Sequence, residues 1–141
     1  MRNPSFALVT GMLLALGAHA QNTETFKTRL APVAIDAAMK SIIAGTGSAT
    51  ATLAGTKFTV NGTFEGLKSN ATMAHIHQGT APGVRGPKLL DLTVTKAMSG
   101  TLSGSFDLTP EQIESLKKGK WYVQIHSEKA PDGNLWGWLL P

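Results

Sequence analysis

The stretch "SATATLAGTKFTVNGTFEGL", residues 48–67, most narrows what this chain can become. Phe58, Val60 and Gly62 alternate with Thr59 and Asn61, a period of two that sends apolar side chains to one face of a strand and hydroxyls to the other. Turn residues interrupt the run every few positions. The same grammar returns in "TFKTRLAPV", "KLLDLTV", "GTLSGSFDL", "KWYVQIHSE" and "LWGWLL". Many short half-buried strands separated by Gly and Pro signals predict an all-β, antiparallel sandwich or barrel.

Two segments depart from that grammar. In "LTPEQIESLKKGKW", Thr109 is placed to cap a helix, Pro110 suits its first position and Gln112 can complete a capping box. Gly119 would end it just after the lysines, predicting one short helix near 110–118. In "AIDAAMKSII", Ile35, Ala38, Met39, Ile42 and Ile43 fit a short helix before Ser, Thr and Gly take over. "APDGN", residues 130–134, reads as the turn between the last two strands.

The first twenty residues pose a question of compartment. A charged start, the apolar run "FALVTGMLLALGA" and the small residues of "AHA" form the pattern of a secretory signal, so residues 1–20 are expected to be cleaved and the product to be periplasmic or secreted. Residues 21–141 are then expected to form a single domain with an adequate core. No stretch approaches the ~20 apolar residues needed to span a bilayer as a helix. Without cysteine, the domain must stand without disulfides, and any metal site must do without thiolate. The formal charge of +4 comes from scattered lysines, apart from "KKGK" at 117–120. There is no basic stripe with interleaved aromatics, so no nucleic-acid partner is expected.

Beyond residues 1–20, where His19 falls, the three remaining histidines lie in expected strands. His75 and His77 share a face with Met73, opposite Ala74 and Ile76. His126 shares a face with Tyr122 and Gln124, opposite Trp121, Val123 and Ile125. Residues two apart on a strand are separated by about 6.6 Å at Cα. Imidazoles can lean across that gap, and metal–nitrogen bonds of about 2.0–2.1 Å let both reach one ion. A third imidazole from another strand completes a set suited to copper or zinc, and a thioether from Met73 would favour copper, Cu(I) in particular. Two solvated side chains and a histidine bonded to a nearby carbonyl would produce the same spacing.

Beyond spacing, "HIHQGTAPGVRGPKLLDLT" and "GTLSGSFDLTPEQIESLKKGKWYVQIHSEKAPDGNLWGWL" resemble the CHRD domain, named from chordin and found in many bacterial secreted proteins. The likeness runs from about Thr25 to Leu139. It implies a Greek-key β-sandwich or barrel like that of Cu/Zn superoxide dismutase, in which a His-x-His strand and a late strand carry copper ligands. By that resemblance His75, His77 and His126 occupy similar places. No histidine is left over to bridge a second metal, no cysteine is available for the dismutase disulfide, and Arg85 stands in a different setting from the dismutase guiding arginine.

The resulting expectation is an exported, non-enzymatic copper-binding protein with a mononuclear site of His75, His77 and His126, with Met73 as the candidate fourth ligand and zinc the less favoured ion. Tyr122 and Gln124 would neighbour the ions, while Gln78, Gly79 and the "APGVRGP" loop would border the site, its glycines and prolines shaping the turn. Arg85 is expected to be solvated, and Trp136 and Trp138 to pack on the sheet. A copper-delivery or copper-accepting protein is the expected partner, and the chain a monomer or homodimer. Two alternatives stay open: a metal-free interaction module, and a minimal copper redox enzyme of dismutase type.

Overall fold

The computed structural model describes residues 22–141, so the expected signal segment lies outside the described residues. Eight strands follow one another: β1 (Thr23–Pro32), β2 (Thr46–Ala54), β3 (Lys57–Glu65), β4 (Ala71–Gln78), β5 (Lys88–Val94), β6 (Gly100–Asp107), β7 (Trp121–Ser127) and β8 (Ala130–Trp138). Among the described residues one α-helix, α1 (Pro110–Lys117), stands between β6 and β7. The strands close into an antiparallel barrel in the order β1-β2-β3-β6-β5-β4-β7-β8. In that order β4, β5 and β6 run as consecutive neighbours and β7 returns beside β4, the Greek-key connection. The expected fold class is the one observed.

Alternation fills the barrel. Phe26 and Leu30 of β1, Ala51 and Leu53 of β2, and Phe58 and Val60 of β3 all point inward and are buried. From the other wall come Ile76, Val123, Ile125 and Leu135. Trp121 sits edge-on to Phe58 with ring centroids 5.4 Å apart. Its indole Nε1 donates to Gln78 Oε1 and Ser115 Oγ, both at 3.1 Å, so the buried polar end is satisfied. That tie also holds α1 against the barrel, where Leu116 is its buried residue. The helix starts as its sequence requires: Gln112 N donates to Thr109 Oγ1 and Thr109 N donates to Gln112 Oε1, the two halves of a capping box. Gly119, at φ +71°, follows the C-cap in the left-handed conformation that favours glycine.

The structure corrects two expectations. "AIDAAMKSII" yields only a 3-10 turn at Met39–Ser41, its N-terminal end shaped by Asp36 Oδ1 accepting from Ala38 N and Met39 N. What holds this segment is tertiary: Val33 and Ile43 pack with Ala130, and Trp136 lies against them, forming a small second core outside the barrel. Likewise, "APDGN" is not the hairpin turn. The chain reverses at Glu128–Lys129, and Ala130–Trp138 is strand. Ser127 pairs with Ala130 and Ile125 with Leu135, so the extra residues between those pairs bulge from β8. Pro, Asp and Gly mark that bulge in sequence, and a bulge and a turn share their residue preferences.

Both the 33–45 segment and the bulge lie over the outward face of β7 and β8. As a result every residue of β7 is buried, the polar ones included. The strand has the barrel core on one side and, on the other, hydrogen bonds from Tyr122, Gln124 and His126 to Gly86, Asp132 and Pro131.

Candidate metal centre

β4 and β7 are neighbours, and their register sets the site. Met73 stands opposite His126, His75 opposite Gln124 and His77 opposite Tyr122. The outward alternation of both strands therefore gathers the three histidines on one patch, where one ring nitrogen from each lies within 4.8 Å of the others. His126 is 8% exposed and the His75 side chain 12%.

Two of the tautomers are fixed by backbone carbonyls. His126 Nδ1 lies 2.8 Å from Pro131 O and His77 Nδ1 lies 2.9 Å from Gly86 O. A carbonyl can only accept, so each neutral ring carries its proton on Nδ1 and turns an Nε2 lone pair inward. His77 Nε2 is buried and has no hydrogen-bond partner. A buried acceptor left alone costs about 1–3 kcal/mol, a cost that an ion would relieve.

His75 is held differently. Its Nδ1 is 3.2 Å from His126 Nε2, and its Nε2 is 3.4 Å from Asp91 Oδ1. Since His126 Nε2 is the acceptor, His75 Nδ1 donates to it when no ion is bound. Moving that proton to Nε2, where the Asp91 carboxylate faces it, frees the third lone pair. The histidine pair thus holds a proton where an ion can replace it, and Asp91 stands behind His75 as a carboxylate stands behind a metal-binding histidine.

Distances support the fit. At bond lengths of about 2.0–2.1 Å, a nitrogen separation of 3.2 Å corresponds to an N–metal–N angle of about 100°, and two ligand nitrogens can be at most about 4.2 Å apart. That limit is the linear case; a trigonal or tetrahedral set spaces its nitrogens about 3.3–3.6 Å apart, so a pair standing up to 4.8 Å apart closes by about 1.2–1.5 Å, shared between two rings. Burial, then the neighbouring His126, holds the His75 pKa below the usual histidine value; burial likewise lowers that of His77, against the opposing hydrogen bond to Gly86. Both shifts favour the neutral, ligating form.

The loop 79–87 is built onto this patch. Tyr122 Oη donates to Gly86 O and accepts from Gly86 N, each at 3.1 Å. A Cβ on Gly86 would stand 1.8 Å from Gln78 O, so only glycine lets the loop seat this closely. On the other side, Gln124 Nε2 donates to Asp132 O in the bulge at 3.0 Å. Arg85 is exposed, as expected, and its guanidinium also lies 4.4 Å from the centroid of Trp136. Met73 is 48% exposed beside the histidines, directly across from His126. Gln78 contributes to packing through Trp121, not to the histidine group.

Sequence reasoning found the three histidines and their common face. It did not find Asp91, whose signal was a place opposite His75 in the β4–β5 pairing. Nor did it find the stacked rings of His77 and Tyr122, centroids 5.0 Å apart and 15° from parallel.

Taken together, these features define a Greek-key barrel protein with three convergent histidines on its outer wall, able to hold one metal ion. The chain matches the CHRD domain family over residues 16–139 and belongs to that family. Neither a curated protein nor a solved structure matches it.

Proposed function

We propose that this is an exported copper-binding protein that handles the ion by sequestering or transferring it, without catalytic turnover of its own. The observation that carries this reading is the lone-pair arrangement: carbonyls fix two imidazoles with Nε2 inward, the third can follow by moving one proton, and one inward nitrogen is buried without a partner. Three neutral imidazoles suit copper and zinc alike. Copper is favoured by Met73, a soft thioether on the same strand face and across from His126, which suits Cu(I). The partial exposure of Met73 fits a ligand that meets the ion as it enters or leaves. When bound, copper would supply one-electron redox chemistry. The protein's own part is to keep His75 and His77 neutral and to hold all three rings oriented beneath the 79–87 loop and the β8 bulge.

The test is anaerobic titration of residues 21–141 with Cu(I), and separately with Cu(II) and Zn(II), against a chelator of known affinity. One copper per chain, held in competition and lost in His126→Ala, supports the reading. Weak binding indifferent to His126 would overturn it and favour a metal-free interaction module.

A further inference from the structure

Beside the histidines lies an aromatic group that metal binding does not use. Tyr122 is 1% exposed and stacks on His77. Its ring centroid is 4.7 Å from Trp138 and 5.9 Å from Trp136, and the two indoles are 4.8 Å from each other. Both tryptophans are half-buried, so the series runs from a candidate ligand to the surface without a break. We propose that Tyr122 and Trp138 form a one-electron path between the histidine site and the protein surface.

Three features give the path direction. Tyr122 is the chain's single tyrosine and is the ring that bridges His77 to the indoles. Its hydroxyl donates to Gly86 O at 3.1 Å in a loop whose neighbouring residues are exposed, so the phenolic proton reaches water once that hydrogen bond opens. Arg85 stacks on Trp136, and a fixed cation there opposes positive charge on that indole. Trp138 carries no such cation, so an electron vacancy settles on Trp138 in preference to Trp136.

The steps balance with a one-electron oxidising radical as the external acceptor. That radical takes one electron from the Trp138 indole, leaving its radical cation. Tyr122 refills the indole with one electron and releases its phenolic proton to water, becoming the neutral tyrosyl radical. A Cu(I) ion at the histidines would return one electron as Tyr122 regains a proton, the ion ending as Cu(II). Only this last step rests on the proposed function.

Pulse radiolysis of the metal-free protein with azide radical tests the path without copper. The expected result is a tryptophan radical that decays as the tyrosyl radical rises, at a rate independent of protein concentration. Tyr122→Phe should abolish the tyrosyl signal and leave a long-lived tryptophan radical. Trp138→Phe should slow the transfer at least tenfold, whereas Trp121→Phe, on the opposite strand face, should leave its rate unchanged. Circular dichroism confirms that each variant is folded. Transfer that is bimolecular, or as fast in Trp138→Phe as in the parent, overturns the proposal whether or not copper binds. In the Cu(I)-loaded protein the tyrosyl signal should then disappear as a Cu(II) resonance appears in equal amount. A tyrosyl radical that persists beside bound Cu(I) would overturn the link to the site.

Discussion

The barrel has two outer walls made by the same alternation, and they differ in almost everything else. On β2, β3 and β6 the outward residues form rows in register, Ser48 with Thr63 and Thr101, then Thr50 with Asn61 and Ser103. They line an open groove of about 540 Å³ in which no lining side chain titrates. On β4, β7 and β8 the outward residues are histidine, tyrosine, glutamine and tryptophan, and loops cover them. Alternation supplies polar positions on both walls. Covering them is what fixes tautomers and lowers the pKa values of His75 and His77, leaving a histidine group able to hold an ion.

Removing a ligand should break that contrast most completely. His77→Ala should lower copper affinity by at least about a thousandfold in chelator competition, because two imidazoles are left to hold the ion. Next comes the cover itself. Gly86→Ala forces a methyl into Gln78 O, and should cost at least about 1–3 kcal/mol in urea unfolding while also weakening metal binding. Asp91→Asn should weaken binding about tenfold while leaving apo stability nearly unchanged, since Asp91 is exposed and acts through His75.

Acidity sharpens the comparison further. His75 and His77 titrate below the ordinary value of 6.5 in the folded chain. The unfolded chain therefore takes up protons first as pH falls. The stability that comes from these two groups is full above about 6.5 and is lost as pH drops through that value, levelling off once the folded rings protonate as well. Thermal melts of apo protein between pH 8 and 5 should show this decline, and His77→Gln should reduce it. On the bare wall, Thr50→Ala should change unfolding free energy by no more than about 0.5 kcal/mol and leave metal binding alone.

Much of this was legible in the chain. Strand alternation placed Phe58 and Val60 inside, and the capping residues Thr109 and Gln112 placed the helix, because both signals act over a few residues. The shared face of His75, His77 and His126 was legible for the same reason. What sequence missed depends on contacts between distant segments. Pro131 and Gly133 mark a bulge as readily as a turn, and only the pairing of Ile125 with Leu135 decides between them. Met39, Ile42 and Ile43 serve docking onto Ala130 and Trp136 instead of a helix, and Ile35 is left exposed. Arg85, in a loop rich in Gly and Pro, gave no sign that it would reach Trp136.

The barrel closes unevenly. Within the strands β5 meets β6 through Thr93 with Ser103 and Val94 with Leu102, and β1 meets β8 through Ala31 with Trp136 and Pro32 with Leu135, the latter line extended by Val33 N on Asn134 O and by a bridge from Lys27 to Leu140. Breaking either line costs a few hydrogen bonds, far less than dismantling the core between them. The molecule is therefore built like a book with two weak spines, the histidines bound into one cover. Amide hydrogens along those spines should exchange with solvent before those of the pages, and an opening between β1 and β8 should loosen the clasp of Ala31 on Trp136 without disturbing the pairing of β4 with β7.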